Sequence, residues 1–112
     1  MGKVEYSPKA LEDLQKIKAY IIENFGVDAA QKALGKITAS VRRLEEYPAL
    51  GVTLGRMIDV PTDYMYIFIE RNYVFYRFEG NIVQIVRIIN ERQNFMQILF
   101  GIYTSFEENE NY

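Results

Sequence analysis

The chain reads as an α+β domain: an N-terminal strand, an antiparallel helix hairpin packed on one face of an antiparallel sheet, and a short C-terminal helix. Three observations predict this. Two apolar stripes with helical spacing flank Gly26. Three short runs rich in aromatic and β-branched residues follow, joined by turns too short for a crossover. A polar corner, Asn90-Glu91-Arg92-Gln93-Asn94, then opens a short amphipathic segment.

Taken in order, Lys3-Val4-Glu5-Tyr6 alternates and is short, which predicts a first strand. Ser7-Pro8 marks a helix start, because Ser7 can cap free N–H groups and Pro8 at the first helical position forfeits no needed donor. Ala10, Leu14, Ile17 and Ile21 form the first stripe, with Leu11 and Phe25 beside it. Gly26 supplies a left-handed stop. Asp28, with Gln31 three residues on, reads as a capping-box variant that restarts the chain as a second helix. Ala30, Leu34, Ile37, Val41 and Leu44 continue the pattern to Tyr47-Pro48.

Residues 48–63 hold Pro48, Gly51, Gly55 and Pro61, and are expected to form a loop with a brief strand at Met57-Ile58. Strands are expected from Tyr64 to Glu70, Tyr73 to Phe78 and Ile82 to Ile89, with turns at Arg71-Asn72 and Gly80-Asn81. Strict alternation places Tyr73, Phe75 and Arg77 on one face of their strand, and Val83, Ile85, Arg87 and Ile89 on one face of the next. The far face of the sheet is expected to be uncovered, with Arg77 and Arg87 solvating it or pairing with Glu79 or Glu91. Phe95, Leu99 and Ile102 are expected to dock the last helix. Residues 1–102 form the domain, and residues 103–112 an acidic, aperiodic, loose tail.

The totals exclude several classes of function. The 112 residues make one domain with a modest core. With no cysteine and no histidine, thiol chemistry, disulfides and the commonest acid–base and metal-binding side chain are all missing. No cofactor or metal site is expected. No apolar run approaches the ~20 residues of a membrane-spanning helix, and Met1-Gly2-Lys3-Val4-Glu5 begins no signal-peptide core. A cytoplasmic protein without membrane contact is expected. A net charge of −2 argues against a strongly electrostatic nucleic-acid binder. The tail carries Glu107, Glu108 and Glu110, so residues 1–101 hold 13 basic and 12 acidic side chains, a balance of +1. Every lysine lies at or before Lys36, and every later basic residue is arginine, the side chain suited to planar, bidentate contacts.

These elements, and the strings within them, resemble the ParE/RelE superfamily of type II toxin–antitoxin toxins. The resemblance covers roughly residues 4–101. Tyr6-Ser7-Pro8 with Ala10, Asp13-Leu14, Ile17 and Tyr20-Ile21 carries its first part. Leu44-Glu45-Glu46-Tyr47-Pro48-Ala49-Leu50-Gly51 carries the middle. Tyr73-Val74-Phe75-Tyr76-Arg77-Phe78 and Val86-Arg87-Ile88-Ile89-Asn90-Glu91-Arg92-Gln93-Asn94 close it. The resemblance implies a toxin neutralised by a cognate antitoxin in a hetero-oligomer. RelE-like members cut messenger RNA on the ribosome, and ParE-like members inhibit DNA gyrase.

Chemistry separates the branches. Metal-free RNA cleavage needs a proton acceptor for the 2′-hydroxyl and positive charge at the phosphate. The segment where RelE-like enzymes place paired lysines reads Asp63-Tyr64-Met65-Tyr66, and the arginine expected early in the next strand is Tyr73. Arg92 stands where a phosphate-contacting arginine is expected, and Asn90 where ParE-like relatives often carry histidine. An arginine stays charged and shuttles protons poorly. The ParE-like branch is therefore favoured, with no catalytic residue assigned and Arg77, Arg87, Asn90, Arg92 and Phe95 as candidate partner or target contacts. The alternative, a ribosome-dependent endoribonuclease acting on messenger RNA, would use Arg92, Arg87 and Tyr73. A third reading is an inactive relative that binds only its antitoxin.

Overall fold

The computed structural model describes residues 2–102, so the tail at 103–112 lies outside the described residues. Strand β1 (Lys3–Tyr6) leads into helix α1 (Pro8–Phe25) through Ser7. The Ser7 hydroxyl accepts from the Ala10 N–H at 3.0 Å and donates to the Val86 carbonyl at 2.8 Å. One side chain thus caps the helix and ties its start to the sheet. Gly26, at φ 94°, ends α1 while its N–H bonds back to the Ile21 and Ile22 carbonyls.

Helix α2 (Val27–Arg43) begins directly after that glycine, which takes the N-cap position without a side-chain bond. The expected Asp28–Gln31 capping box is therefore not the start signal. Asp28 lies inside the first turn, where a carboxylate favours the helix dipole. The helix ends at Arg43, short of Tyr47, because the fully buried Leu44 is anchored at its C-cap and the chain turns there.

The loop after α2 contains two short 3-10 turns, Pro48–Leu50 and Leu54–Arg56, which flank strand β2 (Val52–Thr53). Met57-Ile58, expected as a strand, is not one: the Met57 N–H closes the second turn onto the Leu54 carbonyl. Strands β3 (Met65–Ile69), β4 (Asn72–Glu79) and β5 (Ile82–Asn90) form the expected antiparallel meander, and α3 (Phe95–Phe100) follows.

The sheet order is β1-β5-β4-β3-β2. It is mixed, whereas an antiparallel sheet was expected, because β1 lies parallel to β5. The helix hairpin separates β1 from the meander, so no tight turn forces that pair to be antiparallel.

Two local corrections shift side chains. The β3–β4 turn is Glu70-Arg71, at φ 51° and 66°, one residue earlier than the expected Arg71-Asn72. Asn72 belongs to β4, where it pairs with Ile69 and Asn90 and is only 3% exposed. A left-handed residue bearing a Cβ is disfavoured by roughly 1–2 kcal/mol, so this turn is strained at both central positions. In β5 the register slips: Phe75 faces Arg87 but Tyr76 faces Ile85, which leaves Val86 as an extra residue. Beyond the slip, Ile88 joins Val83 and Ile85 in the helix-side core, while Ile89 joins Phe75 on the opposite face. The expected common face for Val83, Ile85, Arg87 and Ile89 is broken by this bulge.

The helix hairpin covers one side of the sheet around Ile37, Val41, Tyr76, Val83 and Ile85. Each such burial contributes about 1.5–3 kcal/mol. The far side is not bare. Leu54, Phe75 and Ile89 are buried there, under Tyr64, Tyr66 and Tyr73 of the sheet and Phe95, Ile98, Leu99 and Phe100 of α3. Ile102, expected to dock with Phe95 and Leu99, is 38% exposed. Tyr76 crosses to the loop, donating to the Pro48 carbonyl at 2.7 Å and accepting from the Gly51 N–H at 2.9 Å. A Cβ at Gly51 would fall 2.6 Å from both the Tyr66 carbonyl oxygen and the Tyr76 hydroxyl, so only glycine fits. No helix among the described residues is long and apolar enough to cross a membrane.

Candidate functional site

The polar corner after β5 is held by a chain of hydrogen bonds that begins at the β3–β4 turn. Asn72 Nδ2 donates to the Glu70 carbonyl at 2.7 Å, and Asn72 Oδ1 accepts from Asn90 Nδ2 at 3.5 Å. Asn90 Oδ1 then accepts the Arg92 N–H at 3.0 Å, and the Asn90 carbonyl accepts the Gln93 N–H, also at 3.0 Å. In parallel, the Glu91 N–H donates to the Arg71 carbonyl at 2.9 Å, while Arg71 Nε lies 3.1 Å from a Glu91 carboxylate oxygen. Asn94 caps α3 by accepting the Gln97 N–H at 3.1 Å. Five consecutive polar residues are therefore fixed in place by backbone and amide bonds, and Arg92 projects from a braced segment.

The three arginines singled out by the sequence sit in different settings. Arg87 is bound by Asp13 of α1: Nε and Nη2 meet the two carboxylate oxygens at 2.8 and 2.9 Å, a bidentate pair. The same carboxylate accepts the Ile88 N–H at 2.9 Å, beside the bulge. Its hydrogen bond to Asp13 is the main reason the Arg87 guanidinium is held even more firmly protonated than usual, against a smaller opposing effect of burial. The partner is thus Asp13, not Glu79 or Glu91. Arg77 reaches Asp63 at 3.0 Å in an exposed pair. The Arg92 guanidinium has no ion pair or hydrogen bond among the described residues, and Arg92 is exposed.

Aromatic packing lies beside the corner. Tyr73 stands edge-on to Phe68 and Tyr66, with centroids 4.9 and 5.5 Å apart, and lies 5.3 Å from Phe95. Phe95 also packs on Phe75 at 5.2 Å. Tyr73 and Phe95 therefore anchor α3 to the sheet and fix the far side of the corner. The structure brings together Asn90, Arg92 and, through α3, Phe95. Arg87 is held by Asp13 of α1, and Arg77 by Asp63 of the loop before β3.

Asn72, Arg71 and Asp13 were missed by sequence reasoning as parts of this arrangement. Asp13 left a signal, since an acid beside the apolar stripe of Ala10, Leu14, Ile17 and Ile21 calls for a cation or N–H partner where the helix meets the sheet. Open grooves occur at the other end of β4 and β5, lined by Gly2, Pro48, Phe78 and Val83, and beside β1 near Arg42 and Glu45. The corner residues line neither of these grooves. No cluster of three or more metal-ligating side chains occurs among the described residues.

Comparison with known proteins bears on this arrangement. The family described as "ParE toxin of type II toxin-antitoxin system, parDE" matches residues 4–95. The chain belongs to the ParE toxin family. Its fold is similar to a solved chain from the chromosomal ParDE TA system of P. aeruginosa, at TM-score 0.68 and 26% sequence identity over 80% of this chain and 96% of that one. No curated protein sequence matches. The ParE family match spans β1 to the first residue of α3, so both the Asp13–Arg87 pair and the braced corner fall inside it. As a ParE toxin of a ParDE system, the chain has a cognate antitoxin as partner.

Proposed function

We propose that this ParE toxin arrests growth by binding DNA gyrase in the cytoplasm through the corner centred on Arg92, and that its antitoxin relieves the arrest within a hetero-oligomer. The observation that carries the reading is the contrast among the arginines. Arg87 is clamped by both oxygens of the buried Asp13 and Arg77 donates to Asp63 in an exposed pair, while Arg92 is presented from a braced segment with its guanidinium uncommitted among the described residues. A rigid, exposed arginine beside packed aromatics is the kind of anchor that protein interfaces use.

The cleavage reading has less support. Of the three residues it would use, Arg87 is engaged by Asp13 and Tyr73 is packed among Tyr66, Phe68, Phe75 and Phe95. The sequence also holds no histidine, the usual proton carrier for such cleavage.

Purified gyrase, assayed for supercoiling with added toxin, tests the proposal. Inhibition at micromolar toxin, relieved by the antitoxin, is expected. Undiminished supercoiling at micromolar excess, with A-site cuts in messenger on programmed ribosomes, would establish the nuclease reading instead.

A further inference from the structure

The Glu70-Arg71 turn poses a question that the fold alone does not answer. Both central residues are left-handed, at φ 51° and 66°, in a two-residue loop closed by the Ile69–Asn72 pair. Hairpins of this kind favour Asn-Gly or Asp-Gly, because those residues occupy positive φ with little penalty. The register of β4 explains where the turn lies, since sliding it by one residue would move every β4 side chain to the opposite face. It does not explain why glutamate and arginine occupy the turn.

Local pairing does not compensate for the strain. Glu70 approaches Lys36 at 3.9 Å, and the Arg71–Glu91 pair at 3.1 Å is 71% exposed on the arginine side. Exposed pairs of this kind contribute less than two left-handed, Cβ-bearing residues cost. The bonds from Asn72 Nδ2 to the Glu70 carbonyl and from the Glu91 N–H to the Arg71 carbonyl brace the turn. They use backbone acceptors that asparagine and glycine would supply equally, so they do not select these two side chains. Strain of this kind clusters at sites kept for a task.

We infer that Arg71 is a second target-contacting arginine, presented beside Arg92 by the strained turn to recognise a carboxylate-bearing surface on the toxin's protein target. The inference rests on reading the Arg92 corner as the target-binding surface. Glu91 joins the two: its N–H and carboxylate are both held by Arg71, and it immediately precedes Arg92. Arg71 Nε is turned to Glu91, while the largely exposed side chain leaves its terminal nitrogens available to a partner. Two arginines on one braced edge would grip an acidic patch more tightly and more selectively than one.

The test is the double variant Glu70→Asn/Arg71→Gly, which keeps a favoured two-residue turn and removes the arginine. Its melting temperature is expected to rise by several degrees, while gyrase inhibition falls at least tenfold. Loss of activity in a more stable protein cannot be attributed to unfolding. Full inhibition by the double variant would overturn the inference, and so would an unchanged or lower melting temperature. Growth arrest on expression, measured alongside, separates this inference from the choice of target. If the wild-type chain arrests growth without touching gyrase, the gyrase reading fails, and a tenfold weaker arrest by the double variant still supports Arg71 as a contact.

Discussion

The helix-covered side of the sheet and the corner at the end of β5 use arginine in opposite ways. Arg87 and Arg92 lie five residues apart in sequence. Arg87 folds back onto Asp13, where a carboxylate that is 9% exposed satisfies both the guanidinium and the Ile88 N–H. Arg92 is held by its backbone N–H through Asn90, and its charged end faces solvent. The end of β5 at Asn90 separates the two settings: Arg87 lies in the strand beside the bulge at Val86, and Arg92 lies in the corner beyond it. An arginine that stabilises the fold and one left exposed can therefore stand in one short motif, distinguished by their long-range contacts.

The largest effect is expected where that contrast is broken from the structural side. Asp13→Ala leaves Arg87 unpaired and the Ile88 N–H unbonded in a largely buried place, at a cost of about 3 kcal/mol. Thermal or urea unfolding should show it, and a loss below ~1 kcal/mol would mean that the pair is not a clamp. Gly51→Ala comes next: its Cβ would fall 2.6 Å from the Tyr66 carbonyl oxygen and the Tyr76 hydroxyl, and the resulting shift should cost about 1–3 kcal/mol.

Tyr76→Phe removes two hydrogen bonds at that place, and about 1–2 kcal/mol is expected from the same unfolding measurement. It should also alter the alkaline limit. Burial raises the Tyr76 phenol above its ordinary value of 10.0, against a smaller lowering by the Gly51 N–H, and burial likewise raises Tyr6 despite nearby Arg42. The unfolded chain then loses these protons at lower pH than the folded one. Stability from the two phenols is complete below pH 10 and declines as pH rises through the folded values. The Tyr76→Phe variant should show a shallower alkaline decline than the wild type.

Much of the fold was legible in the sequence because its signals are local. Ser7-Pro8, Gly26 and the stripes of α1 and α2 report helix boundaries through capping and periodicity, and the aromatic runs report β3, β4 and β5. What stayed hidden depends on partners distant in sequence. The parallel pairing of β1 with β5, the bulge at Val86 and the covering of the far face by α3 are set by tertiary packing. The turn was misplaced by one residue because Asn72 has the propensity for it, yet burial against Asn90 draws that asparagine into the strand. Of the site, Asn90, Arg92 and Phe95 were legible as a polar corner opening a helix. Arg71 and Asn72 were hidden by the misplaced turn, and the partner of Arg87 lay 74 residues away in α1.

The smallest effect on stability is expected at the corner itself, and that difference carries the account. Arg92→Ala should unfold within about 0.5 kcal/mol of the wild type, as an exposed substitution without a local partner does. The decisive measurement is gyrase supercoiling inhibited by this variant and by the wild-type toxin, at matched folded concentration. The variant is expected to be at least about tenfold weaker. Equal inhibition by the two proteins would contradict it.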